Sequence, residues 1–433
     1  MPVEVLWSTC PMRMSGSPGC LPATTGRVLA VIFLLAFVVA ACSSAERVSA
    51  PSTTAAPVST TRPTTTMSTT TKPITTSTIT TSTTTSTTTT STTTTSTLAP
   101  GPLAAECVAD LPVGLRVGQV LLPLATQVEL PVVADLAGRG LVAGVVVVGA
   151  VGDGFPMAVA AVQAASATGP VMVAVDEEGG RVQRFEAMLG SMPSAAEMAA
   201  LPVDVVRVMA TERAEALVEL GVTVDLAPVL DVGGSPGIGD RSFSGDPEVV
   251  STHGIAFAEG LMAGGLVPVV KHFPGHGRAN ADSHDELATT PPLDELWEVD
   301  LLPFILTPDG AAIMVGHLAV PGLTGGVPAT LSPAAITGLL RDDLGFNGVV
   351  VTDDLAMGAV ADLVDVATAA RLALIAGADL LMIGGLANVV PAAWSLMAAL
   401  DDGSLDEQWL DEAVERVLAM RGVDPCTLVA GEG

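Results

Sequence analysis

Tyrosine is absent from this chain of 433 residues, and aromatic side chains make up only 3% of it. A broad aromatic platform for stacking a ligand is therefore excluded, and grip would have to come from hydrogen bonds. Positive charge is also scarce: 18 Lys and Arg stand against 46 Asp and Glu, a formal net charge of −28. A nucleic-acid partner needs clustered Lys and Arg against phosphates, so that class is excluded too. Cysteines number five, too few for a disulfide-dense scaffold. What is abundant is apolar: 49% hydrophobic residues and 44 glycines fit one large α/β domain.

The uncharged apolar run Val28–Ala41 spans fourteen residues and is preceded by Arg13 and Arg27. A membrane span needs about 20 residues, so this length fits a signal-peptide core better. The run closes on Val39-Ala40-Ala41-Cys42, which resembles a bacterial lipoprotein box and implies lipidation of Cys42 after removal of residues 1–41. Residues 42–102 are then mostly Thr, Ser and Pro, from which no core can form. They are expected to be a disordered stalk that holds a globular head, residues 103–433, away from a membrane. Cys10 and Cys20 leave with the signal, so Cys107 and Cys426 remain at the two ends of the head. In an exported protein they are candidates for a disulfide, with two free thiols as the alternative.

In the head, short apolar runs alternate with longer amphipathic segments. The runs are Val117–Leu122, Val142–Val148, Val171–Val175, Val222–Ala227, Val267–Val270, Ala311–Val315, Gly348–Thr352 and Asp379–Ile383. Apolar strands separated by helical patterns imply parallel βαβ units, and eight of them predict a (β/α)8 TIM barrel. The alternative, an open doubly wound sheet, lacks a Gly-x-Gly-x-x-Gly turn after the first strand.

Ionisable residues recur at the ends of these runs: Asp176, Asp231, Lys271-His272, His317 and Asp353-Asp354. A single Asp there would be read as a helix cap, but the recurrence predicts one pocket at the C-terminal mouth of a barrel. The segment Lys271-His272-Phe273-Pro274-Gly275-His276-Gly277, with Asp282-Ser283-His284, places three of the five histidines within fourteen residues. Such a cluster is costly to bury without partners and suits a site that binds a polar ligand and moves protons.

These segments, with Val175–Arg184, Ala227–Val232, Gly239–Phe243, Pro328–Ser332 and Leu344–Leu355, closely resemble glycoside hydrolase family 3, in its single-domain β-N-acetylglucosaminidase branch. The resemblance runs from about residue 115 to 422 in the family's order. It implies a retaining mechanism with Asp353 as nucleophile, His284 as acid/base and Asp282 orienting the imidazole. A free imidazole titrates near about 6.5, which suits a group that must give and take a proton. The resemblance also implies that Asp176, Arg184, Arg241, Lys271 and His272 bind sugar hydroxyls, and that neither metal nor organic cofactor is needed. Asp354, next to the nucleophile, is expected to face away from the sugar because neighbouring residues near a strand end alternate. Asp231 is expected to sit behind the binding residues, His276 to hold the loop, and Arg181 to be structural. His317 is left open between holding the loop and reacting.

Two departures stand out: Glu177 where the family commonly has Gln, and Arg278-Ala279 where it often has Asp-Thr, beside the expected proton donor. The expectation is thus a monomeric, lipid-anchored enzyme on the outer face of a bacterial membrane, releasing terminal N-acetylglucosamine from β-1,4-linked cell-wall fragments. A β-glucosidase or phosphorolytic member of the same family, or a non-catalytic wall-binding lipoprotein, are the alternatives. Both expected reacting groups are present, which counts against the last.

Overall fold

The structure, a computed structural model, describes residues 102–430. The expected signal (1–41), Cys42 and the stalk up to residue 101 lie outside the described residues. Eight strands form a parallel sheet: β1 (Leu121–Thr126), β2 (Gly144–Val148), β3 (Met172–Val175), β4 (Val224–Asp225), β5 (Val267–Phe273), β6 (Ala312–Val315), β7 (Val350–Thr352) and β8 (Leu381–Ile383). Strand β8 pairs with β1, and the ring closes where Thr352 N–H donates to the Leu380 carbonyl at 2.9 Å. The open doubly wound alternative is thereby ruled out, and helices surround a (β/α)8 barrel.

Strand periodicity builds two apolar layers. Leu122, Val146, Ala174, Val224, Val269, Met314, Val351 and Met382 fill the barrel interior. Their strand neighbours, among them Leu121, Val145, Val175, Val270, Ile313, Val350 and Ile383, pack outward under the helices. Stepping two residues from Ala174, Val269 and Val351 reaches Asp176, Lys271 and Asp353. The period of two that fills the core therefore also aims these three polar residues into the barrel mouth.

The helices begin and end on local signals. Helix Pro247–Ala263 starts with Asp246, whose carboxylate accepts from Glu248 N–H, and with Pro247 at the first helical position. Helix Val366–Ala376 starts with the Asp365 side chain accepting from Thr368 N–H and stops at Gly377, whose φ of 106° suits glycine alone. The ends of the head are joined by a Cys107–Cys426 disulfide between helices Pro102–Ala109 and Pro425–Ala430. Nearby, the buried Arg116 reaches Glu407 and Asp411, each at 2.6 Å, and so ties the second helix of the head to helix Glu407–Met420.

The first strand departs from expectation. Val113–Gln119 is a helix, and β1 begins only at Leu121 and continues through Pro123. An apolar run has no period of its own, so Val117 and Val120 serve as well on a helix face as on a strand. Proline ordinarily argues against an interior strand, yet Pro123 pairs in register with Ile383. Strand β4 is shorter than its apolar run, and β5 runs past Val270 to Phe273.

Candidate active site

At the C-terminal mouth of the barrel lies a cavity of about 480 Å³, within the usual range for small-molecule sites. Its lining includes Asp176, Arg184, Arg241, Lys271, His272, Asp282, His284 and Asp353. All eight residues assigned from sequence to catalysis or binding are thus brought together. Leu124, Val148, Met314 and Met382, each on a barrel strand, add an apolar part to its lining.

Lys271 is the electrostatic centre. It is 2% exposed, and its ammonium lies 2.8 Å from Asp176 and 2.7 Å from Glu178. Burial disfavours the charged amine, but the two carboxylates outweigh it and raise the Lys271 pKa. Burial likewise opposes ionisation of Asp176, yet Lys271 and Arg184 hold its pKa well below the usual carboxylate range. Arg184 meets Asp176 at 2.9 Å, and Arg241 grips Glu178 through two bonds of 2.8 Å. The result is an alternating row of fixed donors and acceptors suited to vicinal hydroxyls. A ligand lacking those hydroxyls would leave buried partners unpaired.

Glu178 was given no role from sequence. The run Asp176-Glu177-Glu178 marks the segment as acidic, but beyond the end of β3 no alternation says which of the three faces the cavity. Glu177, between the other two, turns the other way. Its carboxylate accepts from Arg184 N–H (2.6 Å) and Phe185 N–H (3.1 Å) and meets the buried Arg213 at 3.3 Å. The charge that departs from the family's common Gln is therefore matched by Arg213, and it braces the loop that presents Asp176 and Arg184.

Asp231 lies behind the cavity and is fully buried. One oxygen accepts from His272 Nδ1–H at 2.7 Å, and the other accepts the backbone N–H of His276 at 2.6 Å. His272 Nε2 is left facing the cavity, 3.4 Å from Arg241 Nη2. The Lys271–His272 peptide is cis. His276 is buried between Ser235 and Ser283, at 3.2 and 3.1 Å, and holds the loop. Arg181 lines the rim, bonded to Asp240 and to the carbonyls of Gly237 and Ile238.

At the tip of β7, Asp353 Oδ1 accepts from Asp354 N–H at 2.8 Å. Burial raises its pKa, but His317, His272 and that N–H outweigh it, and the pKa lies below the usual value. Burial and the charge of Asp353 push Asp354 the opposite way. The expectation that Asp354 faces away needs correction: it too lines the cavity. It lies beyond the last residue of β7, where strand alternation no longer applies, and Oδ1 accepts from Ala356 N–H at 2.9 Å to shape the following turn. His317 is buried, and burial lowers its pKa. Its Nε2–H donates to the Asp354 carbonyl at 2.8 Å while Nδ1 lies 2.5 Å from the Thr330 hydroxyl. It therefore fixes the turn carrying both aspartates.

Asp282 and His284 bring their loop to the edge of the cavity. His284 Nδ1 lies 2.7 Å from Asp282 Oδ1, so Nδ1–H donates to the carboxylate and Nε2 is the nitrogen that can exchange a proton. His284 stays largely exposed, with 64% of its side chain accessible. Arg278, the other departure, points away from the cavity to the buried Asp300 at 2.5 Å, and Ala279 packs against Ala288 and Leu318. The change at 278–279 therefore alters the loop's footing and leaves the cavity wall intact.

A pH signature follows from Asp176. Its folded pKa is depressed below the unfolded value of about 3.9, so its contribution to stability is whole above that pH. The contribution is lost as pH falls through the folded value. Asp176→Asn is expected to lower Tm at neutral pH and to flatten the decline of Tm below about pH 4. Thermal melts across that window test this; an equally steep acid decline in the variant would exclude Asp176 as the linked group.

A family model described as the glycosyl hydrolase family 3 N terminal domain matches residues 145–420. Among curated proteins, the chain is 44% identical over 284 residues to the β-hexosaminidase LpqI of Mycobacterium tuberculosis, covering 63% of this chain and 73% of that protein. It is 37% identical over 236 residues to a β-hexosaminidase of Xanthomonas oryzae pv. oryzae, covering 51% and 69%. Among solved structures, a family 3 glycosyl hydrolase from Mycobacterium smegmatis superposes with a TM-score of 0.68 at 41% identity, covering 72% of this chain and 98% of that one. A family 3 β-N-acetylglucosaminidase from a Paenibacillus species gives 0.69 at 32% identity, covering 75% and 64%. The mouth of the barrel and the matched sequence agree: this chain belongs to glycoside hydrolase family 3 and is a glycoside hydrolase.

Proposed function

We propose that the protein is a retaining, exo-acting β-N-acetylglucosaminidase. The observation that carries this reading is an imidazole paired to its own carboxylate, His284 with Asp282, lining the same cavity as the ionised Asp353. Asp353 attacks the anomeric carbon while protonated His284 passes its Nε2 proton to the leaving oxygen, giving a covalent glycosyl-enzyme. Neutral His284 then takes a proton from water, whose oxygen displaces Asp353 from the sugar. Asp282 stabilises the imidazolium at the start and end of this cycle. Asp176, Arg184, Glu178, Lys271, Arg241 and His272 hold the terminal sugar.

The names of the relatives support the sugar class, since LpqI is a β-hexosaminidase and the Paenibacillus enzyme a β-N-acetylglucosaminidase. The scarcity of other anchoring chemistry, with no tyrosine in the chain, fits a site built on hydrogen bonds. We assign as natural substrate β-1,4-linked cell-wall saccharides, met outside the membrane by a head tethered through Cys42 and the 42–102 stalk. Hydrolysis of an aryl N-acetyl-β-glucosaminide against the matching aryl β-glucoside tests the activity. The N-acetyl substrate should be preferred by at least about 10²-fold in kcat/KM, on the scale of a site that recognises a polar group, with release of the β-anomer first. Preference for the glucoside, or release of the α-anomer, would overturn it.

A further inference from the structure

The loop that carries Asp282 and His284 meets a glycine on each of two sides. On one side stands Gly237, in the loop after β4. A Cβ there would lie 2.8 Å from the Asp282 carboxylate carbon and both its oxygens. Gly237 cannot retreat, because its carbonyl accepts from Arg181 at 2.8 Å and from Arg241 at 3.2 Å. The same loop is fastened to the base of the donor loop by Ser235, whose N–H donates to the Gly277 carbonyl (2.9 Å) and whose hydroxyl donates to the His276 carbonyl (2.6 Å).

On the other side stands Gly358, five positions after the Asp353 carboxylate. Its N–H donates to the His284 carbonyl at 3.1 Å. A Cβ on it would lie 2.6 Å from the Asp285 carbonyl oxygen and 2.8 Å from that of His284. Gly358 is itself anchored to the turn at the tip of β7, where Ala356 N–H bonds the Asp354 carboxylate and Met357 N–H the Asp354 carbonyl. The height of the imidazole above the cavity is therefore referred to the same turn that presents Asp353.

We infer that Gly237 and Gly358 are positioning residues: two seats without side chains that let the donor loop settle inward and set His284 against the glycosidic oxygen. The inference rests on the reading of His284 as proton donor. A methyl group at either seat would meet backbone or a fixed carboxylate and would lift the loop. Misplacement by about 1 Å costs on the order of 10²-fold where geometry limits the chemistry. In kcat/KM, which reports the first step, the loss should fall on glycosides whose leaving oxygen needs a proton.

The test is a series of aryl N-acetyl-β-glucosaminides of increasing leaving-group basicity, assayed with Gly358→Ala, Gly237→Ala, His284→Ala and each glycine variant combined with His284→Ala. Gly358 has an ordinary φ and opens a helix, so alanine there adds no backbone strain and favours the local structure. Gly237 has a φ of 83° and serves as the second, independent variant. Gly358→Ala is expected to cut kcat/KM by about 10²-fold for the phenyl glycoside and by less than about threefold for the 2,4-dinitrophenyl one, with no further loss when His284 is already alanine. A loss uniform across leaving groups, or one that persists undiminished in the His284→Ala background, would overturn the seating inference while leaving the proton-donor reading intact. If His284→Ala itself does not steepen the dependence on leaving group, the proton-donor reading fails and the seats lose their purpose with it.

Discussion

Asp353→Asn is expected to abolish turnover while leaving the sugar pocket assembled. The amide oxygen can still accept from Asp354 N–H, so the turn at the tip of β7 keeps its shape. What is lost is the negative charge and lone pair that form the glycosyl ester. Removal of a nucleophile from a concerted set costs as much as about 10⁶-fold in kcat; here the fall should reach at least about 10⁴-fold. Binding of N-acetylglucosamine should change little, because Lys271, Asp176, Arg184 and Arg241 lie on other strands and loops. Calorimetry and steady-state kinetics on one preparation separate the two quantities. Residual turnover within tenfold of wild type would assign the nucleophile elsewhere, with Asp354 as the first alternative, since it shares the cavity.

His284→Ala tests the other half of the chemistry. General acid catalysis contributes about 10²–10⁴-fold, and the loss should approach that range for an aryl glycoside with a poor leaving group. A 2,4-dinitrophenolate departs without protonation, so the ester on Asp353 should form at close to its normal rate. It should then accumulate, because water lacks its base. Intact-protein mass spectrometry would detect the adduct, and azide, which needs no deprotonation to attack, should restore turnover. Absence of both the adduct and the rescue would exclude His284 from the cycle.

Much of this site was legible in the sequence because a strand's period of two continues past its end. Asp176, Lys271 and Asp353 keep the parity of Ala174, Val269 and Val351, so the pattern that reads as barrel interior also reads as barrel mouth. Glu178, three residues beyond the end of β3, lies where that rule has run out, and three successive acids do not say which of them faces the cavity. At Asp354, two residues beyond the end of β7, the alternation no longer holds, and the side chain lines the cavity. The register of β5 shifts between Val270 and Phe273, and there no pattern could have aimed His272. Strand β1 was displaced because apolar runs carry length but not period. The direction taken by Arg278 depends on Asp300, twenty-two positions away, and only the fold brings them together. The pairing of Cys107 with Cys426 was open for the same reason.

That last pair has a consequence for how the molecule can come apart. The disulfide joins residues 319 positions apart, so almost the whole catalytic head lies inside one covalent ring. A protease that severs a single surface turn within it opens the ring without releasing a fragment, and strands β1 and β8 stay leashed beside each other. Dismantling the head therefore takes two agents, a cut and a reductant, or two cuts in the same ring.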